Sequence, residues 1–214
     1  MSNKAAIEAW KSYKGAPIAV RGFLLARIAA VPIEPITKQF ADVSGTLLSV
    51  GSGHGLVERA ISIENPTLAI RGFELDVARV DLARRTQARA PKVEILCADV
   101  TKLDETDVFQ AALACDLFHH LDTHGQEVMA AELARRVVPG GKLVVKDIAR
   151  TPRWKHRWNS VHDRIVAGEK VNCLEPSAMT QLLERNGFRV ASSTRLQPAS
   201  PYPHYLVAAF RTTE

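Results

Sequence analysis

From residue 46 onward, short apolar runs alternate with longer segments whose apolar positions recur every three or four residues. The runs are TLLSVG (46–51), LAIRGFEL (68–75), VEILCAD (93–99), AALACDLF (111–118) and KLVVKDI (142–148). They are apolar nearly throughout rather than at every second position, which predicts strands covered on both faces, as in a parallel sheet. The intervening HGLVERAISI, DVARVDLARRTQAR and HGQEVMAAELARRV predict helices, the third stopped by Pro139-Gly140-Gly141. EPSAMTQLLERNGF predicts another, with Pro176 suited to its first turn and Asn186-Gly187 to its exit. FRVASSTRL and HYLVAAFR, joined by the Pro-rich LQPASPYP, predict an antiparallel hairpin at the sheet edge. Residues 1–42 predict a helical segment broken at Pro17, Pro32 and Pro35. Strands alternating with helices make an α/β fold with a doubly wound sheet.

Composition narrows the class without naming an activity. The chain has 214 residues, 46% hydrophobic and 24% charged, which suits one globular domain and excludes disordered, collagen-like and coiled-coil chains. Cys97, Cys115 and Cys173 are too few and too scattered for a disulfide framework, so a reducing, cytoplasmic setting is expected. Glu8 and Lys11 precede any apolar block, which argues against a secretory leader. Arg21 and Arg27 interrupt AVRGFLLARIAAVPI, and no run approaches the roughly 18 apolar residues of a membrane span. The net charge is +5, and its excess sits in one place: Ala149 to Lys170 holds six basic and two acidic residues.

The chemistry begins where TLLSV runs into Gly51-Ser52-Gly53-His54-Gly55 and then a helix, which brings bare backbone to a helix N-terminus. A dinucleotide site wants G-x-G-x-x-G; here the third glycine falls one residue early and Leu56 takes its place, which argues against NAD and a nicotinamide oxidoreductase. Glu74 ends the second strand, 19 residues past Gly55, where a carboxylate accepts from ribose hydroxyls. Asp99 ends the third strand at the same edge and suits an exocyclic amine such as that of adenine. Asp76, just past Glu74 at the start of the next helix, suits a helix N-cap better than a ligand contact.

With VGSGHG, IRGFELD, CADV, DLFHHL and VVPGGKLVVKD in place over roughly residues 46–210, the sequence resembles the class I S-adenosylmethionine-dependent methyltransferases of small-molecule type. The resemblance implies a Rossmann-like sheet of seven strands, mostly parallel with an antiparallel last strand, after an N-terminal helical lid at 1–42. It implies S-adenosylmethionine as cofactor, held by Ser49, Gly51, Ser52, Gly53, Gly55, Glu74, Leu75, Asp99, Val100 and Asp116. One position departs: the family usually carries an acid where Ser49 stands, and that acid helps position the methionine part of the cofactor. Serine supplies no charge, so Asp116 or a main-chain carbonyl is the alternative partner for the ammonium, or binding is weakened.

On the acceptor side, His119 and His120 follow the fourth strand, and one of them facing the cleft would serve as a base for a hydroxyl or amine acceptor. Adjacent side chains diverge, so a packing histidine beside a surface histidine is the competing reading. No metal is expected, because Asp116, His119, His120, Asp147 and His162 match no compact ligand spacing. The insertion at 149–170 carries Trp154 and Trp158, four apart on one helical face, with Arg157 and His162 nearby. Cations flanking indoles suit an acidic, amphiphilic acceptor, small or carrier-bound, methylated at oxygen; packing of the tryptophans onto the sheet is the alternative. Tyr13 and Arg21 of the lid complete the expected acceptor contacts. The same basic segment also fits an RNA- or other nucleic-acid-binding protein on this scaffold, catalytic or not.

Overall fold

Each apolar run becomes a strand of one sheet. β1 (Thr46–Val50), β2 (Ala69–Glu74), β3 (Val93–Cys97), β4 (Phe109–Cys115), β5 (Val137–Ile148), β6 (Phe188–Arg195) and β7 (His204–Arg211) lie in the order β3-β2-β1-β4-β5-β7-β6. β7 runs antiparallel to both of its neighbours and the remaining pairings are parallel. The edge hairpin and the reversed last strand are therefore as the sequence suggests. The computed structural model describes residues 3–86, 92–150, 171–196 and 202–213.

Among the described residues the α-helices are α1 (Lys4–Lys11), α2 (Ile18–Ala30), α3 (Ile33–Thr37), α4 (Leu56–Glu64), α5 (Val77–Arg85), α6 (Thr123–Arg136) and α7 (Pro176–Arg185). α6 and α7 supply Ala130, Leu133, Leu182 and Leu183 to one face of the sheet, packing on Leu48, Ala112, Leu143 and Val145. α3, α4 and α5 supply Ile36, Val57, Ile61 and Val80 to the other, packing on Leu47, Ile70, Leu113 and Val144. Successive residues of a strand point to opposite faces, so each strand feeds both cores. At roughly 1.5–3 kcal/mol per fully buried aliphatic side chain, these two layers supply most of the drive to fold.

The N-terminal helices form a third layer outside α4. Ala5, Ala6 and Ala9 of α1 and Leu24 and Ile28 of α2 pack with Leu56 and Ala60, and small side chains let the helices approach closely. Asn3 ties the layer together, donating to the Ile28 carbonyl at 2.9 Å and accepting from the Glu34 amide at 3.3 Å.

Three boundaries differ from the sequence pattern. α6 ends at Arg136 and the chain goes straight into β5, so Pro139-Gly140-Gly141 lies inside a strand rather than ending a helix. Val137 pairs with Phe109 and a register irregularity follows; Gly140, at φ 77°, absorbs it. Pro35 lies inside α3 instead of breaking it, because amides in a first turn have no intrahelical partner to lose. β4 stops at Cys115, since Asp116 turns the chain with a left-handed φ of 55°. Among the described residues, no helix is long and apolar enough to cross a membrane.

Candidate functional site

Sheet order reverses between β1 and β4: from β1 the chain first builds toward β2 and β3, then crosses to β4 and β5. In open α/β sheets that reversal leaves a crevice at the carboxyl ends of the strands. Gly51, Gly53 and Gly55 turn the chain there with φ values of 70°, 56° and 78°, a conformation costly for other residues. A Cβ at Gly53 would meet nothing within 4 Å, so this part of the loop faces open space. Ser52 is turned inward, its hydroxyl donating to the Ser49 carbonyl at 3.2 Å.

Glu74 anchors this loop. One carboxylate oxygen accepts from the Gly53 amide at 2.8 Å, and the other from the amides of Leu75 and Asp76 at 2.9 and 3.0 Å. A carboxylate has about four acceptor sites, so capacity remains for a ligand hydroxyl. Leu75 stands exposed beside it, an apolar surface at the rim, whereas Val100 is buried in the core. Asp99 caps the 3₁₀ turn of residues 100–102, taking the Thr101 amide and hydroxyl on one oxygen. Those bonds hold its carboxyl below the usual range. Asp76 caps α5, accepting from the amides of Ala78 and Arg79.

Two buried polar groups lie at the carboxyl ends of β4 and β5, one on each face of the sheet. Lys146 shares the α4 face with Val144; Asp147 shares the α6 face with Val145. Lys146 is fully buried and donates to one oxygen of Asp116, while Arg27 of α2 donates to the other at 2.9 Å. Burial alone would raise the Asp116 carboxyl; the two cations instead hold it far below the usual carboxylate range. Both its oxygens are thus engaged by cations, which leaves it poorly suited to receive an ammonium, the role considered for it from the sequence.

On the other face His119 is buried, its Nδ1 hydrogen-bonded to Asp147 and its amide donating to the same carboxylate at 3.2 Å. Burial lowers the imidazole's affinity for a proton, but the Asp147 carboxylate outweighs it and the pKa is raised. Nε2 makes no hydrogen bond among the described residues. His120 is exposed, its ring centroid 4.0 Å from that of His119. The hydroxyl of Tyr205, a residue opposite Asp147 in the β5–β7 ladder, is buried with no hydrogen-bond partner among the described residues. Among the described residues, no three His, Cys, Asp or Glu side chains converge as a metal site.

The remaining expected contacts divide. Tyr13 is fully buried, its hydroxyl donating to the His54 carbonyl at 2.6 Å under the Arg59 guanidinium, so it props the glycine loop from below instead of facing an acceptor. Arg21 stacks on Trp10, 5.0 Å from the ring centroid, within the N-terminal layer. Trp154, Arg157, Trp158 and His162 lie outside the described residues. The two ends of their segment are nevertheless joined: Arg150 donates to the Cys173 carbonyl at 2.9 Å, and the Asn172 amide donates to the His119 carbonyl at 2.8 Å. Arg150 and Asn172 therefore both lie close to His119.

Four contributors were not singled out from the sequence as site residues: Arg27, Glu58, Lys146 and Asp147. For the last two a signal existed, since a Lys-Asp pair inside an apolar strand must find partners. Ser49, pointing to the α4 face with Leu47, gave the hint for Glu58: its hydroxyl donates to Glu58 Oε1 at 2.6 Å.

The family described as a methyltransferase domain matches residues 24–193. No curated protein matches the sequence. Solved structures share the fold at low identity. An O-methyltransferase family protein from Burkholderia thailandensis is 17% identical with a TM-score of 0.68, over 84% of this chain and 56% of that one. An S-adenosylmethionine-dependent methyltransferase from Methanosarcina mazei is 16% identical with a TM-score of 0.68, over 84% and 98%. Human N-acetylserotonin methyltransferase, in complex with S-adenosylmethionine, is 14% identical with a TM-score of 0.71, over 97% and 57%. The chain thus spans little more than half the length of the first and third of these.

Proposed function

The chain belongs to the S-adenosylmethionine-dependent class I methyltransferases, and on that premise we propose that it methylates an oxygen of an acidic, amphiphilic acceptor, small or carrier-bound. The observation that carries the cofactor half is the meeting of three strand ends at the switch point: the glycine loop after β1, Glu74 after β2 and Asp99 after β3. The residues fit the cofactor. The backbone of Gly51 to Gly55 borders the space left open at Gly53; Glu74 has acceptor capacity for ribose hydroxyls, Leu75 an apolar face, and Asp99 a second oxygen for an exocyclic amine.

When bound, S-adenosylmethionine supplies an electrophilic methyl on a sulfonium. Methylation of a hydroxyl by that group would exchange the S–CH₃ bond for an O–CH₃ bond and leave one proton for the protein to take. His119 takes that proton at Nε2, while Asp147 fixes the imidazole through Nδ1. The rest of the rate comes from holding acceptor and methyl in line. Arg150 before the basic stretch and Asn172 after it are bonded to each other, and Asn172 to the His119 carbonyl, which favours an acceptor carrying a carboxylate or phosphate.

Thermal unfolding with S-adenosylmethionine, S-adenosylhomocysteine and NAD tests the cofactor without knowledge of the acceptor. At 100 times Kd a ligand adds about 2.7 kcal/mol, roughly 5–11 °C for a chain of this size. The two sulfur nucleosides should shift Tm and NAD should not. A shift with NAD alone, or with none, would overturn the reading; in that case RNA binding with a steep salt slope is the measurement to make next.

A further inference from the structure

Glu58 is an acid in the wrong place for a structural role. It lies in the third position of α4, it is 2% exposed, and its Oε1 accepts from the Ser49 hydroxyl at 2.6 Å. Oε2 is buried and has no hydrogen-bond partner among the described residues. Leaving such an oxygen unpaired costs on the order of 1–3 kcal/mol, more if it is charged. A helix position that elsewhere in α4 carries Leu56, Val57, Ala60 and Ile61 has no packing need for a carboxylate. Burial raises its pKa, with the Ser49 bond and the neighbouring Arg27 and Arg59 opposing that rise.

Its surroundings point to a ligand. Ser49 lies two residues before Gly51, so Glu58 lies directly behind the glycine loop at the end of β1. Arg27, whose field reaches Glu58, also bonds Asp116 at the end of β4. The carboxylate and the guanidinium therefore both lie at the gap between β1 and β4 where the sheet order reverses. A carboxyl group held at the end of β1 and a guanidinium held at the end of β4 complement the two charged ends of an α-amino acid. The guanidinium has five donors, and Asp116 takes one of them through Nη2.

We infer that Glu58, held by Ser49, receives the ammonium of the methionine part of S-adenosylmethionine on its unpartnered Oε2, with Arg27 beside it for the carboxylate. The inference rests on the function proposed above. The charge that the resemblance places at position 49 is then present in this chain, moved from the strand to the helix facing it.

Binding measurements separate the two halves of the ligand. S-adenosylhomocysteine carries the amino-acid end, whereas 5′-methylthioadenosine has the same nucleoside without it. By isothermal titration, Glu58→Gln should weaken S-adenosylhomocysteine at least tenfold and leave 5′-methylthioadenosine within twofold of wild type. Glutamine is isosteric and keeps the Ser49 contact, so the fold should hold; the exchange variant S49D/E58Q should recover most of the lost affinity. Equal affinity of wild type and Glu58→Gln for S-adenosylhomocysteine, or equal losses for both nucleosides, would overturn the assignment of Glu58 while leaving the cofactor in place. Failure of wild type to bind either nucleoside would overturn the proposed function and this assignment with it.

Discussion

The Arg27 guanidinium donates to the Asp116 carboxylate at 2.9 Å, joining residues 89 positions apart in sequence. The contact ties the N-terminal layer to the carboxyl end of β4, because Asp116 is also the turn that ends β4 and the partner of buried Lys146. An ion triad in such a place is held by geometry, and its loss exposes what each member compensates.

Asp116→Asn should therefore be among the most damaging single changes, since it leaves Lys146 buried without its counter-charge. Removing one partner of a buried pair costs about 3–5 kcal/mol, to be read from urea denaturation. The pH dependence follows from the depressed Asp116 pKa. Its contribution is present above the ordinary Asp value of about 3.9 and is lost as pH falls below it toward the folded value. Wild type should lose this part of its stability below about pH 4, and the variant should show a flatter acid limb.

His119 has the opposite sign. Its raised pKa means that the protonated ring pairs with Asp147 and stabilises the fold fully below about pH 6.5, a gain lost as pH rises through the folded value. Only the neutral ring accepts a proton, so methyl transfer should climb with pH through that same raised value. Asp147→Asn should move the inflection to lower pH as well as slowing the reaction. His119→Ala should reduce kcat by about 10²–10⁴ with nucleoside affinity unchanged. A pH profile that Asp147→Asn leaves in place would remove His119 from the reaction.

Glu74→Ala should act on binding in two ways, by deleting the acceptor for ribose and by freeing the Gly53 amide that shapes the loop. Hydrogen bonds to a charged group are worth about 1.5–3 kcal/mol, so S-adenosylhomocysteine should bind at least tenfold more weakly in titration calorimetry. If His119→Ala lost as much affinity, the division into a cofactor side and an acceptor side would be wrong.

Two glycines should fail for different reasons. Gly53→Ala puts a methyl into the open space in front of the loop at φ 56°, costing stability only about 1–2 kcal/mol but abolishing detectable nucleoside binding. Gly141→Ala drives a methyl to 2.8 Å from the Gln110 and Val138 carbonyls, both backbone atoms. It should lower Tm markedly while the protein that remains folded binds normally. Parallel losses of binding in both variants would argue that the loop is not the ligand's contact.

Local patterns in the chain settled the strands, the glycine loop and the carboxylates that follow β2 and β3. Each depends on a short stretch whose hydrophobic period, backbone freedom or position at a strand end is readable in place. VGSGHG, Glu74 and Asp99 therefore stand where the sequence puts them, and Asp76 caps α5 as its position suggests. Boundaries were less legible where a proline or glycine has two uses: Pro139-Gly140-Gly141 reads as a helix stop and serves as a strand irregularity. Tertiary structure alone decided which polar groups meet. Strand alternation sends Lys146 to one face and Asp147 to the other, and only the order of strands and the layering of helices bring Arg27 to Asp116, His119 to Asp147 and Glu58 to Ser49. A buried charge is stable only beside its partner, and the chain does not state in sequence which distant residue that partner is.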